Sequence, residues 1–108
     1  MLLMHGVKDE RVKYRGGTSP GDPEFNWIGF TETADAWRKA NGCHSKPNVL
    51  ETADRRTTTY GDCAAQLTTI EFFNDAHVWH GMRIANVWTR RPKASREAAA
   101  FIASIAAR

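Results

Sequence analysis

Asp9 and His77 are the two residues of this chain whose setting best fits acid–base chemistry. Asp9 closes the stretch Met1-Leu2-Leu3-Met4-His5-Gly6-Val7-Lys8-Asp9, and His77 lies just past Phe72-Phe73 in Asn74-Asp75-Ala76-His77-Val78-Trp79-His80-Gly81. Each is an apolar run that stops abruptly in polar and glycine-containing residues, as when a buried parallel strand delivers an acid or a base to the end of a sheet. A carboxylate that accepts an imidazole N–H fixes the ring's tautomer and leaves the other nitrogen free to take a proton from a hydroxyl. The chemistry expected of the pair is activation of a hydroxyl nucleophile for acyl transfer. A literal G-x-S-x-G match, Gly17-Thr18-Ser19-Pro20-Gly21, does not supply that nucleophile. A nucleophile elbow uses the backbone N–H after its serine to hold the oxyanion, and Pro20 has no N–H. Ser19 therefore reads as a turn residue. Cys43, His44, Cys63, His77 and His80 are all potential zinc ligands, but they form no C-x-x-C or paired knuckle, so neither a metal nor another cofactor is expected.

The elements that must position Asp9 and His77 follow from the pattern around them. The opening apolar run from Met1 and residues 67–73 predict two buried strands, the second mixing β-branched and aromatic residues in Thr68, Thr69, Ile70, Phe72 and Phe73. Residues 10–29, with Gly16, Gly17, Pro20, Gly21, Asp22 and Pro23, predict a loop. Residues 31–41 predict a helix, with Thr31 as N-cap, Gly42 as its stop, and Ala34, Trp37 and Ala40 facing inward. Residues 49–52 and 57–60 predict two short, peripheral β segments. Residues 95–107 predict a second helix, with Ala94, Ala98, Phe101, Ile102 and Ile105 on one face.

Composition narrows the function classes. The chain has 108 residues, 42% of them hydrophobic and 25% charged, which is globular and large enough for one modest core. Its net charge is +3, but the basic residues are scattered except for Arg90, Arg91 and Lys93, so nucleic acid is not the expected partner. No apolar run approaches the roughly 18 residues that span a bilayer, and the opening residues lack the basic start of a signal peptide. Cys43 and Cys63, each just past a predicted element end, could pair around the β segments or remain two reduced small hydrophobes. Pairing would close about 20 residues and contribute roughly 3 kcal/mol in the loop-entropy account.

The stretch HGVKDERVKYRGG, from His5 to Gly17, resembles the "HGxxDxxVPY…GG" segment of polyhydroxybutyrate depolymerases and feruloyl esterases, a branch of the α/β-hydrolases. WRKANGC ending at Cys43, YGDC ending at Cys63, and NDAHVWHG in place of that family's "GGGHxWPG" extend the resemblance over nearly the whole chain. Lys13 and His80 stand where the family has proline. The chain order, acid then histidine, matches the second and third members of the family's triad, whose serine comes first. The resemblance implies an α/β fold, residues 1–108 being the C-terminal portion of an α/β-hydrolase domain. That portion would hold two late parallel strands, two main helices and a disulfide-linked β-hairpin excursion, and would lack the half with the nucleophile elbow. It further implies Asp9 and His77 as catalytic residues, Trp79 and His80 as pocket residues, and a Cys43–Cys63 disulfide. A polyester or hydroxycinnamoyl ester would be the substrate, and the parent enzyme would be extracellular or periplasmic.

Without its serine the chain alone is expected to be nearly inactive. Its partners would then be an ester substrate together with the missing half, or a second copy paired along an exposed sheet edge. The alternative from a different class is a non-catalytic interaction module, whose open edge would bind a partner strand.

Overall fold

The computed structural model describes residues 1–19, 22–77, 83–84, 87–88 and 94–106. In chain order the elements are β1 (Leu2–Gly6), β2 (Gly17–Ser19), β3 (Asp22–Trp27), α1 (Phe30–Ala40), β4 (Ser45–Glu51), β5 (Arg55–Gly61), β6 (Leu67–Phe72), β7 (Arg83–Ile84), β8 (Val87–Trp88) and α2 (Ala94–Ala106). Four strands form one mixed sheet in the order β1-β6-β5-β4, while β2 with β3 and β7 with β8 form two-stranded ribbons. The β1–β6 ladder is parallel, and the β6–β5 and β5–β4 ladders are antiparallel.

β6 is buried along all six residues because it lies between β1 and β5 and is covered on both faces. Strand alternation sends Leu67, Thr69 and Glu71 to one face and Thr68, Ile70 and Phe72 to the other. The register aligns His5, Glu71, Arg56 and Glu51 across four strands on the first face. α1 packs over that face through the buried Phe30 and Ala34. α2 is tied to the opposite face, where Glu97 pairs with Arg55 and Gln66 donates to Ser104. Glu71 is only 7% exposed, and its carboxylate is satisfied by the Tyr14 hydroxyl and by the Arg56 guanidinium at 3.4 Å. A buried carboxylate without such donors would be strongly destabilising. No helix among the described residues is long and apolar enough to cross a membrane.

This architecture overturns the expected α/β-hydrolase portion. The described residues are mostly β, with two short helices, and the main sheet has more antiparallel than parallel pairing. The threonine- and arginine-rich segment expected to be a peripheral excursion supplies β5, an interior strand of the main sheet. Its polar residues fit there because Arg55 and Arg56 lie over the rings of Phe72 and Phe73 and pair with carboxylates. The expected loop 10–29 contains the β2–β3 ribbon, where Phe25 and Trp27 stack with centroids 5.8 Å apart.

Both helices form, but their faces differ from the periodicity. α1 begins at Phe30 with Gly29 as N-cap, rather than at Thr31, since Phe30 N–H is already taken by the Tyr14 carbonyl. Trp37 and Ala40 are exposed. In α2 the exposed residues include Ile102 and Ile105, because the helix is held by Glu97 and Ser104 instead of by its whole apolar stripe. The disulfide between Cys43 and Cys63 is present and joins the end of α1 to the end of β5, with the Cα atoms 4.0 Å apart. Both sulfurs are thereby removed from any zinc site.

Truncating Phe72 to alanine should cost about 3–5 kcal/mol in chemical denaturation, the range for deleting a fully buried ring. Leu50→Ser on the exposed edge of β4 should stay within about 0.5 kcal/mol of wild type.

Candidate functional site

Parallel pairing of β1 with β6 puts the C-terminal ends of both strands on the same side of the sheet, with Gly6 opposite Phe72. The two segments that leave those ends are joined by backbone hydrogen bonds. Val7 N–H donates to the Phe72 carbonyl at 2.9 Å, and Lys8 N–H to the Asp75 carbonyl at 3.0 Å. Gly6 permits this contact. A Cβ at that position would lie 2.3 Å from the Asp75 carbonyl oxygen and 2.7 Å from that of Ala76, far inside contact distance and against backbone that cannot swing aside.

Asp9 is reached three residues beyond the strand end. One carboxylate oxygen, Oδ1, accepts the backbone N–H groups of Arg11 and Val12, both at 2.9 Å, so the side chain closes its own turn. The other, Oδ2, lies 2.9 Å from Nδ1 of His77. Burial pushes the Asp9 carboxyl pKa up, but the hydrogen bonds from His77, Val12 and Arg11 outweigh it and hold the group below the ordinary 3.8. The carboxylate is ionised at neutral pH and can only accept, which places the shared hydrogen on His77 Nδ1, so that in the neutral ring Nε2 carries the lone pair. Side-chain exposure is 6% for Asp9 and 51% for His77, so a shielded anion supports an imidazole open to solvent and solutes. That arrangement can accept a proton from an incoming hydroxyl and return it to a leaving group.

The residues around Asp9 hold its turn on three sides. His5 Nε2 lies 2.7 Å from the Val12 carbonyl and 3.5 Å from Asp9 Oδ2. Tyr14 donates its hydroxyl to Glu71 on β6, and its carbonyl receives Phe30 N–H at the start of α1. Burial, reinforced by the Glu71 carboxylate, raises the Tyr14 pKa and keeps the phenol a donor. His5, Tyr14 and Phe30 form a ring cluster with centroids 5.6 to 6.1 Å apart.

Of the residues singled out in the sequence, Asp9 and His77 are thus brought together, although 68 positions separate them. Trp79 and His80 lie outside the described residues. Ser19 sits in β2, a short strand paired antiparallel with β3, and is not at an elbow between a strand and a helix. His5, Tyr14 and Glu71 were missed as parts of the site. The available signal was spacing: a histidine four residues before the acid on a strand, and an aromatic residue five after it. Compared with protein-family models, with curated proteins and with solved structures, the chain matches none.

Gly6→Ala should separate the two segments and break the Asp9–His77 contact, seen as a change in the His77 ring-nitrogen shifts in NMR, while α1 signals persist. Asp9 also makes stability pH-dependent. A folded pKa held below the unfolded value contributes stability above the unfolded value, and that stability is lost as pH falls through the folded one. The denaturation midpoint of wild type should therefore exceed that of Asp9→Asn at neutral pH, and the gap should close as the pH falls through the lowered pKa of folded Asp9.

Proposed function

We propose that Asp9 and His77 are the acid and the general base of a serine-type carboxylic-ester hydrolase, similar in chemistry to polyhydroxybutyrate depolymerases and feruloyl esterases. The observation that carries this reading is the 2.9 Å contact between a shielded Asp9 carboxylate and Nδ1 of a solvent-open His77. In this reaction His77 Nε2 takes the proton of a serine hydroxyl as its oxygen attacks the ester carbonyl. The proton is then given to the departing alcohol, and a water molecule repeats the sequence on the acyl-serine to release the acid. Asp9 stabilises the imidazolium in both halves without itself becoming protonated.

In this reading the serine comes from another polypeptide segment, because the triad order puts it before the acid whereas Ser19, Ser45, Ser95 and Ser104 all follow Asp9. Ser45 donates to Asp62 and Ser104 to the Phe101 carbonyl, and Ser19 lies in the β2–β3 ribbon. The edge of β1 that does not face β6 is the natural place for such a segment to dock, since β1 is an end strand of the sheet. The disulfide favours an oxidising setting, extracellular or periplasmic. A second reading, a non-catalytic interaction module, is favoured by the two open edges of the main sheet. On one of them, β4, Val49 and Leu50 are 48% and 64% exposed.

Hydrolysis of p-nitrophenyl butyrate distinguishes the two. The chain alone should be nearly inactive. Refolded with the polypeptide encoded immediately upstream of it, the chain should gain activity that falls on the order of 1,000-fold or more in both Asp9→Asn and His77→Ala. Activity that survives both substitutions would overturn the esterase reading. A chain that pairs reversibly with itself in sedimentation, with no activity in any combination, would support the interaction module.

A further inference from the structure

We infer that His5 is a positioning residue for the Asp9–His77 pair: its Nε2–H is held by the Val12 carbonyl beside the Asp9 carboxylate, and so keeps Oδ2 aimed at His77. The inference deepens the proposed esterase site and rests on that reading for its catalytic meaning, though not for its geometry.

The Val12 carbonyl oxygen can only accept, so its 2.7 Å contact puts a hydrogen on His5 Nε2. The same nitrogen is 3.5 Å from Asp9 Oδ2, the oxygen that His77 uses. Val12 is therefore gripped at both ends of its backbone, its N–H by Asp9 Oδ1 at 2.9 Å and its carbonyl by His5. Two side chains, one on the strand and one on the turn, close a ring around a single residue. The carboxylate can rotate freely only if that ring opens.

The imidazole of His5 is itself fixed. It stands on β1 opposite Glu71 of β6, with the rings of Tyr14 and Phe30 at 6.1 and 5.6 Å, and its side chain is only 16% exposed. Among the described residues, the titratable groups that face it are Asp9 and Tyr14 from the following turn and Glu71 from β6. Tyr14 is spent on Glu71, and Glu71 also receives Arg56, which leaves the Asp9 turn as the partner for His5 Nε2. A packing residue at this position would need only a ring of the right size. His5 adds a directed N–H, and phenylalanine would preserve the ring while deleting it.

The test is imidazole and carboxyl NMR on the full chain. In wild type the ring nitrogens of His5 should report the Nε2–H tautomer and those of His77 the Nδ1–H tautomer. His5 found as the Nδ1–H tautomer would overturn the inference with no variant needed. In His5→Phe, His77 should shift markedly toward the Nε2–H form and the Asp9 carboxyl titration midpoint should rise. In His5→Gln, whose amide nitrogen reaches a similar place, both should return most of the way to wild type. An unchanged His77 tautomer in a folded His5→Phe would also overturn the inference and leave the esterase reading intact. Conversely, the tautomer shift together with absent hydrolysis in every combination would remove the esterase reading while His5 kept its role.

Discussion

The contact between Asp9 and His77 depends on one pairing, the parallel ladder between β1 and β6. Parallel strands end on the same side of a sheet, so the segments that follow them are neighbours wherever they go next. Here they are more than neighbours, because Val7 and Lys8 hydrogen-bond directly to Phe72 and Asp75. A shift of β1 by one residue would turn His5 to the face opposite Glu71 and carry Asp9 away from His77. Burial of all six residues of β6 opposes such a shift. The apolar face of Ile70 and Phe72 and the polar face of Thr69 and Glu71 each match only one arrangement of their surroundings.

The site is assembled by groups that serve two purposes at once. Asp9 closes a turn with one oxygen and receives the imidazole with the other. Tyr14 neutralises part of the cost of burying Glu71 and at the same time pins the turn to the sheet, while its carbonyl starts α1. Such sharing makes the geometry stiff, since no member can move without unsatisfying another, and stiffness of this kind is what preorganised acid–base pairs require. The Cys43–Cys63 bridge acts at a distance from this, tying α1 to β5 so that the helix carrying Phe30 stays seated over His5 and Tyr14.

Much of the site was legible in the sequence and less of the fold. Asp9 and His77 could be found because each followed an apolar run, and such runs mark buried strands whatever the sheet around them. The sheet is harder to read, because polarity in a segment is not exposure. Arg55, Arg56 and three consecutive threonines suggested a peripheral hairpin, yet β5 is interior, its cations paired with Glu97, Glu51 and Glu71. Pairing between charges distant in sequence leaves no local trace. Phe25 and Trp27 carry no clear strand signal because glycines and prolines surround them, and the ribbon they form is one that turn-rich segments can accommodate. The helices were found by their period, but Trp37, Ile102 and Ile105 show that a period says which residues share a face and not that the face is covered.

The separation between Asp9 and His77 also fixes when they can meet. The β4–β5 hairpin closes over three residues, and its disulfide spans 20, so that region can organise from local contacts. The β1–β6 ladder joins residues 66 apart and must wait for a far larger loop to close. During synthesis β1 is made well before β6, the strand it pairs with in parallel. The contact between Asp9 and His77 therefore depends on a long-range closure, and a chain that has formed only the local β4–β5 hairpin does not yet have it.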